Sequence, residues 1–348
     1  MKSLSLFFRH PHKIYFSVEK LFHTIASELK LKSDSDYKVT EHDLPFTSKL
    51  STIGKNISFV RKVQSEINHI TGDVHYAILG CDRKNVNILT IHDCVLLHQY
   101  SRFNPRHWVI RWLWYELPVR KADVVTVISE STKDDLMKFT SCRTEKIRVI
   151  PNFADPLYKP VPGVFSAQCP KLLFIGTASN KNLKRTAEAI RGLNVELVII
   201  GFPDELQIAD LDNNHIKYRL LNNLSDQQMR DMYAASDILL FPSTYEGFGL
   251  PIIEAQSVGR PVITSRIEPM ASVAGDAAVL IDPFEVGSIR AAIIKLLEDG
   301  ALRDELVNKG FRNAGRFRLE NVAAQYNSLY RDMLRKKITH VRHFGNIK

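Results

Sequence analysis

Two glutamates separated by seven residues bracket the stretch of this chain with the most chemical content, EGFGLPIIE, from Glu246 to Glu254. An apolar run, DILLFPS at 237–243, precedes it and reads as a buried strand that ends at Pro242. Pro251 then suits the first turn of a helix, where its missing N–H is not needed. The helix runs through Glu254 to about Val258, and Gly259 stops it. Gly247 and Gly249 allow unusual backbone angles and the close approach of a ligand. The amides of Gly249 and Leu250 point out of a helix N-terminus, which is a natural diphosphate site. Glu246 and Glu254 flank that site and can accept hydrogen bonds from hydroxyls. Read as structure alone, the same string is a glycine-rich strand-to-helix turn with a capping glutamate.

The string resembles the Glu, seven residues, Glu signature of the retaining family-four glycosyltransferases (glycosyl transferases group 1) of the GT-B fold. DMYAASDILLFPS before it, and GRPVITS and GDAAVLIDP after it, are similar as well, so that the resemblance covers roughly residues 85–330. It implies two doubly wound Rossmann-like α/β domains facing across a cleft. By the same resemblance Glu254 binds the ribose hydroxyls of a donor nucleotide and Glu246 contacts the transferred sugar. Gly247, Phe248, Gly249 and Leu250 surround the donor. In KLLFIGTASNKNLKRTAEAI (171–190), Lys181 falls where the family has a basic clamp on the donor diphosphate. Thr177 stands where many relatives have an arginine, and Lys184 or Arg185 is a candidate substitute. In NILTIHDCVLL (87–97), His92 matches a family histidine that contacts the donor sugar, with Asp93 beside it. His92 and Glu246 are therefore the candidate catalytic residues.

The acceptor side is less legible. Glu130, in VVTVISESTKDDL, lies where relatives put a cleft residue, although Ser129 or Ser131 next to it equally reads as a helix cap. Many relatives have a glycine-rich loop after the first strand; here RHPHKIYFSVEKLF (9–22) replaces it, with Arg9 and His12 among the candidate acceptor contacts. That loop reads either as a basic solvated segment or as a partner for a phosphorylated or otherwise acidic acceptor. The implied reaction moves a hexose-like sugar from a nucleoside diphosphate to a hydroxyl of a glycan or lipid-linked saccharide, as in polysaccharide biosynthesis. It proceeds with retention, without a metal and without a cofactor. A sugar-nucleotide epimerase and an inactive donor-binding subunit are the competing readings. No GxGxxG follows the first strand of either half, which argues against a dehydrogenase.

These residues need elements to hold them. Apolar runs at 3–8, 75–80, 87–93, 124–129 and 147–152 read as strands of one domain, and runs at 171–176, 195–201, 237–243, 260–265 and 277–282 as strands of a second. Helical patterns at 182–193, 226–236 and 286–300 alternate with the second set, the pattern of βαβ units on a parallel sheet. A break with four prolines, DPLYKPVPGVFSAQCP at 155–170, divides the two sets. The expected domains are 1–160, 161–325 and a closing helix with a basic tail, 326–348, packed back towards the first domain as the family does. In doubly wound sheets ligands sit beyond the carboxyl ends of strands, and each candidate residue lies there.

The net charge of +9 over 348 residues is unevenly spread. Residues 1–150 hold 23 Lys and Arg against 16 Asp and Glu, whereas residues 151–330 hold 18 against 21. YSRFNPRHWVIRWLWYELPVRK (100–121) interleaves aromatics with arginines; it reads as an amphipathic core helix with a basic face, or as a contact with an anionic membrane surface. No nucleic-acid module accompanies it, and nucleic acid is not an expected partner. Cys81, Cys94, Cys142 and Cys169 are scattered without metal-ligand spacing, which suits a reducing compartment. No apolar run is long enough to span a bilayer. The expected location is cytoplasmic, with peripheral contact on the inner face of the membrane.

Overall fold

Runs of Val, Ile, Leu and Phe without polar interruption are buried on both faces when they form strands, and that is the signature of parallel sheets covered by helices. The computed structural model describes residues 1–11, 17–31, 37–99 and 104–345. It divides into two units, Met1–Asn152 with Leu319–Lys348, and Phe153–Arg318. Each unit has one six-stranded sheet in which every pairing is parallel.

In the first unit the elements run β1 (Lys2–Phe8), α1 (Ser17–Leu31), β2 (Tyr37–Asp43), α2 (Leu50–Val63), β3 (Ile67–Ile70), β4 (Val86–Ile91), α3 (Val95–Gln99), α4 (Pro105–Ile110), α5 (Leu117–Lys121), β5 (Val124–Val127), α6 (Glu130–Phe139) and β6 (Ile147–Val149). The sheet order is β2-β1-β3-β4-β5-β6, so the winding reverses between β1 and β3. One expected strand is corrected. HYAILG (75–80) forms a 3-10 helix, and β3 takes the place beside β1 and β4. The run has no face to give to solvent: Tyr76, Ala77 and Ile78 are all fully buried, and Gly80 lies so close to α2 that a Cβ would meet Ile57 O at 2.4 Å. The true strand, INHI, carries two buried polar side chains. Asn68 is satisfied by Ser65 O and Asn87 Oδ1, both at 3.1 Å, and His69 by Tyr330 and Thr90.

In the second unit the order along the chain is β7 (Lys171–Ile175), α7 (Leu183–Ile190), β8 (Glu196–Ile200), α8 (Glu205–Asn213), β9 (Tyr218–Leu221), α9 (Asp226–Ala235), β10 (Ile238–Phe241), α10 (Leu250–Val258), β11 (Val262–Ser265), α11 (Met270–Ala274), β12 (Val279–Ile281), α12 (Val286–Glu298) and α13 (Gly300–Ala314). The sheet order is β12-β11-β10-β7-β8-β9, with the reversal between β10 and β7. The proline-rich segment belongs to this unit. Val161 N donates to Val258 O (3.1 Å), Arg260 Nη1 donates to Val161 O (3.0 Å), and Ser166 N donates to Asp237 Oδ1 (2.8 Å). The units accordingly divide at 152/153 rather than at 160/161.

The chain then returns to the first unit as α14 (Leu319–Gly345), dividing at 318/319 rather than at 325/326. Tyr330 OH meets His69 Nδ1 at 2.8 Å, Tyr326 packs its ring edge-on against Phe22, and Lys337 pairs with Asp123 at 2.9 Å. A buried histidine with both ring nitrogens engaged and no counter-ion stays neutral, and burial holds His69 down at about 3.

Candidate active site

The loops after β7 and β10 leave the sheet of the second unit on the two sides of its reversal, the place where open α/β sheets receive ligands. They bring together residues 65 apart in sequence: Lys181 Nζ pairs with Glu246 Oε1 at 2.5 Å, with both side chains mostly buried. The lysine stem lies over Gly176, where a Cβ would meet Lys181 Cε at 2.8 Å, and φ there is +87°. Only glycine gives both that angle and that space. The ammonium also sits 4.8 Å from the centre of the Phe241 ring, a cation–π contact. Asn182, in the left-handed region at φ 70°, opens α7; its buried amide donates to Pro242 O and Pro283 O and so locks this loop to the ends of β10 and β12.

On the β10 side, Gly249 holds φ +105° immediately before α10, and Pro251 sits in the first turn. Gly259 closes the helix at φ +85°. Phe248 is buried edge-on against Phe317, so its side chain anchors the loop, and of the two glycines beside it only Gly249 takes a positive φ. Glu254 sits one turn into α10. Its Oε2 accepts from Tyr233 OH at 2.6 Å, and Tyr158 packs edge-on against Tyr233. Burial, and next the Glu254 charge, push both tyrosine hydroxyls far above their usual value, so both remain donors. Thr177, in the place of the expected arginine, packs against Gly201 and accepts from Phe202 N at 3.2 Å. Arg185 donates to Asn182 Oδ1 and lies over Phe284, while Lys184 is exposed.

The first unit has its own reversal, between β1 and β3, and the candidate residues there come from three strand ends. His92 follows β4. Its Nε2–H donates to Thr71 O at 2.9 Å, which leaves Nδ1 as an acceptor, and burial lowers its pKa and keeps the ring neutral. Asp93 Oδ1 caps α3 through Val95 N at 3.0 Å. Arg9 follows β1 and forms a two-pronged pair with Glu19 of α1, at 2.6 and 2.9 Å. Glu130 faces solvent and pairs with Lys133 at 2.8 Å. His12 lies outside the described residues. Two residues of this neighbourhood were missed from sequence, Glu19 and Asp73. Asp73 stands in the turn after β3, its carboxyl raised by the crowding around it and by Asp93, with Arg9 opposing. Its side chain still reaches solvent, which blunts the shift. The string TGD after a short strand was the available signal. Among the described residues no group of three His, Cys, Asp or Glu side chains is placed to hold a metal ion.

Two family models account for most of the chain: "Glycosyl transferases group 1" matches residues 164–313, and "Glycosyltransferase Family 4" matches residues 25–156. The chain belongs to the family-four glycosyltransferases. Among the relatives of this family-four chain is an O-antigen chain mannosyltransferase B of Escherichia coli, 33% identical over 46% of this chain and 45% of its own length. A mannosyltransferase named for MMP, from Mycolicibacterium hassiacum, is 28% identical over 70% of this chain and 64% of its own. An N-acetyl-alpha-D-glucosaminyl L-malate synthase of Bacillus anthracis is 24% identical over 92% and 87%. The chain thus spans between about half and two thirds of the first two of these relatives. In structure it matches a sucrose-phosphate synthase from Thermosynechococcus elongatus, with a TM-score of 0.78, 18% identity, and 97% and 100% of the two chains covered. Anabaena HepE, solved with UDP-glucose, matches with a TM-score of 0.73, 15% identity, and 95% and 100% covered. Both matches show the GT-B fold.

Proposed function

We propose that the chain transfers a hexose from a nucleoside-diphosphate sugar to a hydroxyl of a saccharide or lipid-linked saccharide, with retention and without a metal, on the cytoplasmic side. The observation that carries this reading is the arrangement at the second unit's reversal. One cation, Lys181, and one helix N-terminus stand beside two carboxylates of different setting, Glu246 on the open loop and Glu254 held on a rigid helix turn. A leaving diphosphate gains negative charge as the glycosidic bond breaks, and preorganised donors at that position lower the barrier. Lys181 and the amides of Gly249 and Leu250 supply them. Glu254, already oriented by Tyr233, offers its other oxygen to the two ribose hydroxyls. Glu246 reaches the sugar; Lys181 then moves its charge from Glu246 to the phosphates. Phe202, exposed at the end of β8, is the wall for the base. His92, neutral and with Nδ1 open, accepts a hydrogen bond from a sugar hydroxyl. The mannosyltransferase and UDP-glucose names among the relatives support a hexose donor.

A thermal-shift panel of UDP-, GDP- and dTDP-sugars tests the donor reading, because a ligand that binds only the folded state raises the melting temperature. One nucleotide class is expected to stabilise the protein, and Glu254→Gln to remove most of the shift. No stabilisation by any nucleotide sugar would overturn the proposal. Turnover of the donor in the absence of acceptor, giving an epimer, would move the chain to the competing reading.

A further inference from the structure

One segment singled out in the sequence takes no part in either candidate site. Residues 105–121 are helical throughout, but the helix is not uniform: α4 runs into a π turn, Arg111–Glu116, which runs into α5. Leu117 N–H donates to Trp112 O, five residues back. The insertion decides what faces outward. In an unbroken α-helix the residue stacked on Trp112 would be Glu116, four positions on. The π turn places Leu117 there instead, 38% exposed, and turns Glu116 inward to 4%. Glu116 is the only acid in the segment, and inside it takes Ser141 N (2.9 Å) and Arg120 Nε (2.6 Å).

The outward face left behind has Trp108, Val109, Trp112 and Leu117 along its middle, each between 38% and 47% exposed. Arg106 lies at one end and Arg120 at the other, both exposed. Arg111 lies over the Trp108 ring at 5.2 Å and Arg120 over the Trp112 ring at 5.4 Å. The opposite side of the same helix is core, with Tyr115, Pro118 and Val119 buried. Alongside, Arg111 Nε donates to Phe139 O of α6, whose last turn adds the exposed Met137 and Lys138. The acids of α6, Glu130, Asp134 and Asp135, lie in its first two turns.

We propose that this face is a docking surface for an anionic lipid bilayer, with the helix lying in the interface plane. Tryptophan rings settle at the level of lipid headgroups, and arginines beside them meet headgroup phosphates. The apolar and aromatic groups between the arginines suit the acyl boundary. The stretch that contains this face is basic as a whole, since residues 1–150 carry 23 Lys and Arg against 16 Asp and Glu. Docking here is a matter of surface contact, because no described helix is long and apolar enough to cross a membrane. The proposal does not depend on the donor site.

All three tryptophans of the chain, Trp108, Trp112 and Trp114, are in this helix, so their emission reports on it directly. The full chain is mixed with vesicles of neutral phosphatidylcholine, or with vesicles in which one third of the lipid is phosphatidylglycerol. The anionic vesicles are expected to sediment the protein at least about tenfold better, less so at high salt, with a blue shift in emission. Arg106→Gln with Arg120→Gln is expected to cut that partition about tenfold, and Trp108→Ser with Trp112→Ser to remove it. Leu117→Glu, which restores an acid to the exposed face, is expected to remove it as well while leaving the melting temperature within a few degrees. Equal partition onto both vesicle types, binding unchanged by Leu117→Glu, or preferential capture by a DNA duplex would each overturn the proposal.

Discussion

The two reversals in strand order are the same device built twice, and they differ in how the functional groups reach them. In the second unit, nearly everything comes from two loops. Lys181 and Glu246 meet across the gap between β7 and β10, and Glu254 follows in the same string as Glu246. In the first unit, Arg9, Glu19, Asp73 and His92 come from four separate segments, and their charges act on one another without one shared motif. A site drawn from two loops, one of them a continuous string, carries a signature; a site built by the sheet carries none. On the proposed reading, the nucleotide is held by the half that carries a signature, and acceptor choice falls to the half that sequence leaves open.

Removing the cation should do the most damage. Lys181→Ala is expected to lower turnover about 10²–10³-fold, the range seen when one preorganised donor to a developing anion is lost. His92→Ala is expected to lower turnover about 10²-fold. Calorimetry separates them: the lysine variant should also bind nucleoside diphosphate weakly, and the histidine variant should bind it nearly as the wild type does. If His92→Ala loses nucleotide affinity in step with Lys181→Ala, the division between the halves is broken.

A smaller effect sharpens the comparison inside the second unit. Glu254→Gln removes a charge-assisted contact worth roughly 1.5–3 kcal/mol, so the dissociation constant for nucleoside diphosphate should rise about 10–100-fold with the chemical step little changed. Tyr233→Phe, which leaves the carboxylate but removes one of its donors, should give about a fivefold rise of the same kind. Glu246→Gln should leave nucleotide affinity unchanged or tighten it, because the competing anion beside Lys181 is gone, while turnover of the intact donor falls. A Glu246→Gln protein that binds free nucleotide as poorly as Glu254→Gln does would show that the two carboxylates share one role.

What the sequence showed and what it hid follow the same line. EGFGLPIIE was legible because glycine, proline and a helix cap each have one local use, and α10 forms where they place it. β3 was not legible. Its Asn68 and His69 are tolerated in a central strand only because partners as distant as Tyr330 satisfy them, and no local pattern announces a partner 261 residues away. HYAILG deceived for the opposite reason, being apolar enough for a strand yet buried all round as a 3-10 turn. Edge strands β2 and β9 were missed because their polar residues face water, as edges allow. Asp73 and Glu19 went unseen because their neighbourhood exists only once the sheet is assembled.

A last effect is on stability, and it falls on the first unit. His69 and His75 are buried neutral, held down at about 3 and about 4 by desolvation, whereas the unfolded chain takes up protons near 6.5. Between those values the unfolded state binds more protons, so stability is full above pH 6.5 and falls as the pH drops towards 4. Two such groups give a slope of at most about 3 kcal/mol per pH unit. Melting curves from pH 7 to 5 should shift downwards, and His69→Gln should flatten the trend. A midpoint that is level across this range would mean the rings do accept protons in place.

The return of α14 to the first unit also sets an order of events during synthesis. The residues that seat Phe22 and His69 are made after the whole of the second unit, so the ribosome releases unit two with every strand and helix it needs while unit one still waits for its last wall. Through that interval the apolar face that α14 will cover stands open to water. The first half of the protein to be translated is therefore the second to be finished.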